Sequence, residues 1–158
     1  MDPAQSRALR AILETQEVAA LGTLHEGEPF VSMVPFALLP DATFVIHVSA
    51  LAAHTRDMAA HSSVSLLVMA NREEGVGAQA LPRVTIQADA VLLDDEDPRH
   101  AAAKQAYLDR FPGSAMTFGL GDFSLVAIRP RSARFVGGFA QARSLTAEGL
   151  QRVLVASP

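Results

Sequence analysis

The amino-acid sequence predicts a mainly β fold, either an all-β barrel or an α+β domain, rather than a parallel doubly wound sheet. Short apolar segments follow one another with tight polar turns between them. Residues 81–93 alternate apolar and polar side chains with a period of two, which is typical of a half-buried antiparallel strand. Only a few segments have the periodicity of a helix.

The N-terminal half is predicted to contain one helix and then a series of strands. Residues 3–15 place Leu9, Ile12 and Leu13 at helical spacing, which predicts a short amphipathic helix. The next two strands should form a β-hairpin through a polar turn. The predicted strands are 18–24, 29–39 and 43–48, with turns at 25–28 and 40–42.

The C-terminal half is predicted to add three strands and one longer helix. Asp97 is a plausible N-cap followed by Pro98, and this pattern predicts a helix of roughly 12 residues that ends at Arg110. Pro130 indicates that the last strand is bent or divided in two. The predicted strands are 63–70, 81–93 and 122–136, one further helical turn is expected at 114–118, and the residues after 139 are expected to be a tail.

The composition is that of a folded protein with a sizeable core. Hydrophobic residues make up 49% of the 158 residues and charged residues 19%, which argues against disorder. This length suits one domain, so we predict a single domain over residues 1–158. The formal charge is −4, without a block of basic residues, which argues against nucleic acid or an anionic membrane as a partner.

The chain has no cysteine and no apolar run that approaches the ~20 residues of a membrane helix. Without cysteine there are no disulfides, thiolate metal sites or cysteine nucleophiles. The N-terminus lacks the basic and apolar regions of a signal peptide. We therefore expect a soluble, cytoplasmic protein.

Residues 47–58 are the stretch with the clearest chemical character, because a strand is expected to turn into a helix there. The free amides and the positive dipole at a helix start favour an anion such as a phosphate. Ser49 and Thr55 add hydroxyls, and Arg56 adds a planar fork of donors. The alternative is that Ser49 only caps the helix and that Arg56 is a solvated surface charge.

Other chemistry is weakly represented in the sequence. Residues 119–121 lack the third glycine of a dinucleotide-binding motif and precede a strand. His54 and His61 share a helix face by spacing, but two histidines make a poor metal site, so no metal site is predicted. No catalytic residue can be identified, and His54 and Arg143 are the only acid–base candidates.

Four segments in a fixed order resemble the pyridoxamine 5'-phosphate oxidase-like split-barrel flavoproteins, and most closely their haem-utilisation branch. The segments are 30–37, 49–58, 80–85, and 121–123 together with 136–139, within a resemblance that extends over roughly residues 5–143. The resemblance implies a six-stranded Greek-key split barrel that forms a homodimer, with one FMN in each of two interface clefts. Residues 64–69, which are apolar on both faces of a strand, also predict an obligate dimer.

The resemblance also implies which residues surround FMN. One strand would run beside the isoalloxazine ring and the ribityl chain, and the strand–helix junction would contact the flavin and hold its phosphate. A neighbouring strand and a later segment of the partner subunit would complete the cleft. In that order the residues are Ser32, Met33, Val34 and Pro35; Ser49 and Leu51, with His54, Thr55 and Arg56 at the phosphate; Arg83; and Phe139 and Gln141.

The activity that the resemblance implies is FMN-dependent oxidation or reduction of a small molecule. Two alternatives are haem binding and degradation in the same cleft, and a ligand-binding barrel without turnover. The sequence at 54–56 departs from the serine and two basic residues of the oxidase branch, which argues against pyridoxamine phosphate oxidation. Haem-utilisation proteins usually carry a further C-terminal domain. Because the histidines lie at the phosphate site or on predicted surface turns, we expect weak or nonspecific haem binding.

Overall fold

A computed structural model of the protein describes residues 1–138 and 141–155. Within these residues the chain forms eight strands, four α-helices and two short 3-10 helices at Ala78–Ala80 and Pro112–Gly119. The strands are β1 Val18–His25, β2 Glu28–Pro35, β3 Ala37–Leu38, β4 Phe44–Ser49, β5 Ser63–Met69, β6 Arg83–Leu93, β7 Phe123–Val136 and β8 Ala142–Thr146. The helices are α1 Pro3–Thr15, α2 Ala53–Ala60, α3 His100–Arg110 and α4 Ala147–Val155.

All strand pairs are antiparallel, and the strands follow the order β2-β1-β5-β6-β7-β4-β3, with β8 beside β7. β2 and β3 are separated in the chain only by Phe36, yet they lie at opposite ends of this order. The sheet must therefore curl until its two ends approach each other. The predicted mainly β, antiparallel split barrel is confirmed.

The structure has two strands more than the six predicted: the segment 29–39 contains two strands, and β8 lies in the predicted tail. Phe36 breaks the segment 29–39, and its ring is fully buried against Phe44 at 5.2 Å between ring centroids. At this point the chain leaves β1, with which β2 pairs, and joins β4 through β3. The hairpin between β1 and β2 is confirmed, and its turn residues Glu26 and Gly27 both have positive φ, as a type I′ turn requires.

The predicted C-terminal tail is wrong. β8 pairs along β7 from Ser132 opposite Thr146 to Val136 opposite Ala142. α4 follows directly and buries Leu150 completely in the barrel core. β8 is short and polar, so its own sequence gives little sign of a strand, and it forms because the edge of β7 offers unpaired backbone groups.

One other prediction needs correction. α3 ends at Arg110 as predicted but begins at His100, because the carboxylate of Asp97 accepts hydrogen bonds from the backbone and side chain of Arg99 in the preceding turn. For the last strand, a bend and a division in two were the alternatives, and β7 is one continuous strand. Opposite β6 it contains a bulge, since Gln87 pairs with Ser132 while Ala88 pairs with Pro130.

The core lies in two layers on either side of β4. Phe44 and Ile46 point into the barrel, whereas Val45 points to a second apolar cluster beneath α3. This double burial explains why β4 is a continuous apolar run. No helix within residues 1–138 and 141–155 is long and apolar enough to span a membrane.

Candidate functional site

The junction between β4 and α2 is tied to the start of β7. The amide of Ala50 donates a 2.7 Å hydrogen bond to the carbonyl of Asp122. Ser49 Oγ donates to the carboxylate of Asp122 at 3.1 Å and accepts from the amide of Leu51 at 3.2 Å. These bonds hold in place the segment through which the chain enters α2.

The start of α2 has no side-chain cap, because the N-cap position is Ala52. Ser49 lies three residues earlier, so the interpretation that it caps the helix is wrong. The hydroxyl of Thr55 donates back to the carbonyl of Ser49 at 2.7 Å. Arg56 is exposed, and its guanidinium makes no hydrogen bond or ion pair with any residue that the structure describes. Arg56 is therefore an exposed cation at the start of α2.

Asp57, the next residue on α2, is a buried carboxylate that joins the helix to the β1–β2 hairpin. It is 5% exposed. Thr23 Oγ1 donates to one carboxylate oxygen at 2.9 Å, and His25 Nδ1 lies 2.8 Å from the other. Burial alone raises the pKa of Asp57, but the hydrogen bonds from His25 and Thr23 outweigh burial, so the net pKa is lowered. The carboxylate is accordingly ionised at neutral pH.

His54 lies three residues before Asp57 and so on the same face of α2. It is half-buried. Burial lowers the pKa of His54, and the charge of Asp57 opposes part of that shift. The imidazole is therefore neutral near pH 7 and has a nitrogen lone pair for a metal ion.

A cavity of about 670 Å³ lies between α2 and the adjoining ends of β6 and β7. Its volume is in the range of sites for small molecules and cofactors. The lining is mainly apolar and includes Met58 and Ala59 of α2, Ala90 and Leu92 of β6, and Val126 of β7, with Thr55 as a polar group. The cavity can accept a largely apolar ligand that carries a few polar groups.

The predicted residues of β2 alternate between the two faces of the sheet. Val34 is buried in the barrel core, and Ser32 points the same way. The hydroxyl of Ser32 is buried and has no hydrogen-bond partner among the described residues. Met33 and Pro35 point outwards, and Met33 is 65% exposed.

Arg83 and Gln141 lie at the opposite end of the sheet from α2. Arg83 begins β6, and Ala90 at the cavity is seven residues further along that strand, which corresponds to roughly 20 Å. The guanidinium of Arg83 donates to the carbonyls of Gln79 and Leu81 at 3.3 and 3.0 Å. Gln141 is in the β7–β8 turn, where its carbonyl accepts from the amide of Gly137.

The residues predicted from the sequence therefore do not form one cluster within one chain: apart from Ser32–Pro35 along β2, they form two separate groups. Ser49, Leu51, His54, Thr55 and Arg56 lie together at the β4–α2 junction, and Arg83 and Gln141 lie at the far end of the sheet. Phe139 lies outside the described residues.

Sequence analysis missed His25, Thr23 and Asp57 as members of one cluster. No local pattern connects them, because His25 and Asp57 are 32 positions apart in the chain. Only the packing of α2 against β1 brings the hairpin turn to the helix. Asp122 lies in one of the segments that carried the resemblance, but its hydrogen bond to Ser49 was not foreseen.

Residues 6–137 match a protein-family model described as pyridoxamine 5'-phosphate oxidase. The chain is 37% identical over 137 residues to the chloroplastic non-canonical haem oxygenase HOZ of Arabidopsis thaliana, a match that covers 85% of this chain and 40% of that protein. It is 27% identical over 128 residues to the haem oxygenase HutZ of Vibrio cholerae, with coverage of 79% and 71%. The chain thus spans less than half the length of the Arabidopsis relative.

Among solved structures, a haem-binding protein from Mycobacterium smegmatis superposes with a TM-score of 0.84 at 30% identity. The superposition covers 96% of this chain and 61% of that one. A protein from Campylobacter jejuni named ChuZ superposes with a TM-score of 0.80 at 19% identity, which shows the shared fold alone.

These relatives overturn the prediction of an FMN-dependent oxidoreductase, and of FMN as the cofactor. The activity named in both curated relatives acts on haem. The same names count against the expectation that haem binds only weakly. The physical reason for the error is that cationic and hydroxyl donors at a helix start suit a carboxylate as well as a phosphate. The anion site was therefore a poor guide to the identity of the ligand.

Proposed function

The chain belongs to the pyridoxamine 5'-phosphate oxidase family, and on that premise we propose that it binds haem and opens the porphyrin ring by oxidation. As the four sequence segments predicted, its relatives include the haem-utilisation branch of the family. The observation that carries the proposal is the 37% identity to a haem oxygenase over 85% of this chain. The match includes α2 and both strands that line the cavity beside it.

The residues around α2 fit the chemistry of haem. The porphyrin is large and apolar, and the cavity is lined mainly by apolar side chains. Haem iron accepts imidazole nitrogen, and His54, whose imidazole is neutral, directly precedes the cavity-lining Thr55 on α2. The two propionates need cations or donors, and Arg56 is an exposed guanidinium on the same helix.

Bound haem would supply the iron at which oxygen is activated. The chain's own contribution would be to hold the ring against α2 and to exclude bulk water from it with the apolar lining. Arg56 would fix the orientation of the ring through a charge-assisted bond to a carboxylate. Ser49, Thr55 and the backbone of Leu51 would complete the contacts from this side.

We also propose that the protein is a homodimer, because an outer face of the sheet is unusually apolar. Val31 and Met33 of β2 are 68% and 65% exposed, and Val18 of β1 and Met69 of β5 extend the same face. The outer face of an antiparallel sheet is usually polar when it faces water. A second copy would cover this patch through a self-complementary interface.

A dimer also accounts for the two separate groups of predicted residues. If the strands of the two copies run antiparallel across a two-fold axis, the Arg83 end of one chain lies beside the α2 end of the other. Arg83 and Gln141, with Phe139 from outside the described residues, would then complete the haem cleft of the partner. In this arrangement the residues that the resemblance implied would still surround the interface cleft, and haem would take the place of FMN in it.

Titration of the purified protein with ferric haem tests the proposal. We expect a saturable Soret band at one haem per chain. Addition of an electron donor and oxygen, with catalase present to remove free peroxide, should then bleach that band and release iron. A spectrum that remains that of free haem at every ratio would contradict haem binding. A Soret band that stays unchanged under turnover conditions would contradict haem degradation but not haem binding.

A further inference from the structure

A second cavity, of about 430 Å³, lies on the other side of the sheet from the cavity beside α2, and we call it the α3 cavity. Leu93 in its wall belongs to the apolar cluster beneath α3, whereas Ala90 of the cavity beside α2 belongs to the barrel core. The two cavities share only Leu92 and Ser124. The polar and charged residues that line the α3 cavity are His47, Asp94, Asp95, His100, Lys104 and Ser124.

The ring of His47 is held firmly, and its contacts determine which nitrogen is protonated. It stacks on Phe118 with ring centroids 3.9 Å apart and an interplanar angle of 8°. Nδ1 lies 3.2 Å from the hydroxyl of Thr117, which already donates its only proton to the carbonyl of Ser114 at 2.7 Å. That hydroxyl can therefore only accept from Nδ1, so Nδ1 carries the proton and Nε2 has the lone pair of the neutral ring.

The surroundings of His47 keep the imidazole neutral. Burial lowers the pKa of His47, and the positive charges of Lys104 and protonated His100 lower it further. No residue that the structure describes donates a hydrogen bond to Nε2. This nitrogen is therefore an acceptor that a ligand in the α3 cavity can use.

Lys104 is the cation nearest to His47 in this cavity. Its ammonium lies 5.2 Å from the centroid of the Phe118 ring, the same ring on which His47 stacks. The side chain is half-buried, and it makes no ion pair with a carboxylate within residues 1–138 and 141–155. Because both groups contact one ring, one small ligand can reach both of them.

The two carboxylates of the α3 cavity already have partners. Asp94 accepts hydrogen bonds from the backbone amides of Glu96 and Asp97 at 3.1 and 2.9 Å. Asp95 lies 3.2 Å from His100 Nε2, and its side chain is 97% exposed. Neither carboxylate offsets the positive charges that act on His47. The inner part of the cavity therefore favours an anion, and the acidic groups form its rim.

We propose that the α3 cavity binds a small hydroxycarboxylate, with the carboxylate on Lys104 and the hydroxyl donating to Nε2 of His47. This site is additional to the proposed haem site and does not depend on it. An ammonium group only donates hydrogen bonds, so it suits a carboxylate. Neutral Nε2 only accepts, so it requires a donor, which a hydroxyl group supplies and a carboxylate does not. The cavity volume is within the range of small-molecule sites.

Titration of the full-length protein with lactate and with propionate tests the proposal, because these two probes differ by one hydroxyl group. Binding is followed by NMR through the backbone amide signals of Phe118 and Ser124. Lys104 is the only lysine in the chain, so its side-chain signal gives a second, selective readout in the wild type. Both probes should shift these signals saturably. Lactate should bind about 2- to 10-fold more tightly than propionate, as expected for one neutral hydrogen bond.

Two substitutions separate the contributions of the cation and the imidazole. Lys104→Ala should weaken the binding of both probes by about 10- to 100-fold, and Lys104→Arg should have a smaller effect because the charge remains. His47→Phe retains an aromatic ring to stack on Phe118 but has no Nε2. It should abolish the preference for lactate and leave the affinity for propionate unchanged. Arg72→Ala is the matched control, since it removes one positive charge from an exposed loop and should affect neither probe.

Three results would overturn the proposal. They are the absence of saturable shifts in the wild-type protein, equal wild-type affinities for lactate and propionate, and unchanged lactate affinity in Lys104→Ala. Because Lys104 is only half-buried, this last variant tests the site even where His47→Phe disturbs the packing beneath α3. Haem binding is followed separately through the Soret band, so failure of this site and failure of the proposed function are distinguishable.

Discussion

The guanidinium of Arg10 in α1 donates two hydrogen bonds to the backbone carbonyl of Val153 in α4, with nitrogen–oxygen distances of 2.9 and 2.6 Å. The carbonyl lies in the last turn of α4, where backbone oxygens have no partner within the helix. The first and last helices of the described chain are thereby joined directly.

We predict that Arg10→Ala lowers the free energy of unfolding by about 1–2 kcal/mol, because it leaves a partly buried carbonyl without its charged donor. The measurement is urea denaturation. Arg7→Ala is the control, since Arg7 is on the exposed face of the same helix and should change stability by less than about 0.5 kcal/mol. Equal effects of the two substitutions would mean that the contact between the helices is not stabilising.

Leu150→Ala should lower the free energy of unfolding by about 2–5 kcal/mol, since it leaves a cavity in a fully buried position. Val155→Ala, near the exposed end of α4, serves as the control and should have a small effect. A minor loss for Leu150→Ala in thermal and chemical denaturation would indicate that α4 does not belong to the cooperative core.

Met33→Glu should convert the proposed dimer to a monomer, because it places an unpaired charge in the apolar outer face of β2. Sedimentation velocity at micromolar concentration measures the change. Met116→Glu is the control, because Met116 is 84% exposed in the 3-10 helix after α3, away from that face. A wild-type protein that sediments as a monomer would refute the dimer.

Arg56→Ala should weaken haem binding by about one to two decades, because it removes a charge-assisted bond to a propionate. Arg56→Lys should have an intermediate effect, since the charge remains but the planar fork is lost. Haem dimethyl ester, which lacks free carboxylates, should bind all three proteins alike. Arg72→Ala, in an exposed loop, is the control. Unchanged haem affinity in both Arg56 variants would mean that Arg56 is a solvated surface charge and does not contact haem.

The pH dependence of stability should include a contribution from Asp97. Hydrogen bonds from Arg99 lower the pKa of Asp97 from 3.8 to about 2. Because the folded-state pKa is the lower one, the ionised carboxylate stabilises the fold above about pH 4, and that contribution is lost as the pH falls towards 2. The stability difference between wild type and Asp97→Asn should therefore be present at pH 5–7 and shrink in this acidic window. Glu14→Gln, on the exposed side of α1, should show no such change.

Local patterns predicted most of the secondary structure. The helix expected at 3–15 is found at Pro3–Thr15, and the strands expected at 63–70 and 81–93 are found as β5 and β6. The helix and β6 have apolar residues at a regular spacing and β5 is a short apolar run, so each signal is evident within the segment itself. β8 and the start of α3 were missed because each depends on a partner, the edge of β7 or the side chain of Arg99.

The candidate site was only partly accessible from the sequence. Ser49, Thr55 and Arg56 all lie within residues 49–56, so their clustering at one junction follows from local structure alone. The ligand was misjudged because donors for a phosphate also suit a carboxylate. The distance between the α2 group and Arg83 could not be predicted, because it depends on the length of β6, which separates them.

The sequence by itself determined the fold family, six strand segments in their order along the chain and the helix that contains Arg56. The tertiary structure decided which distant side chains meet. His25 and Asp57 come together only because α2 packs against β1, and the apolar surface of β2 is recognisable only once the curled sheet separates its inner and outer faces. Periodicity is encoded by neighbouring residues, whereas contacts between remote segments depend on how the whole sheet closes.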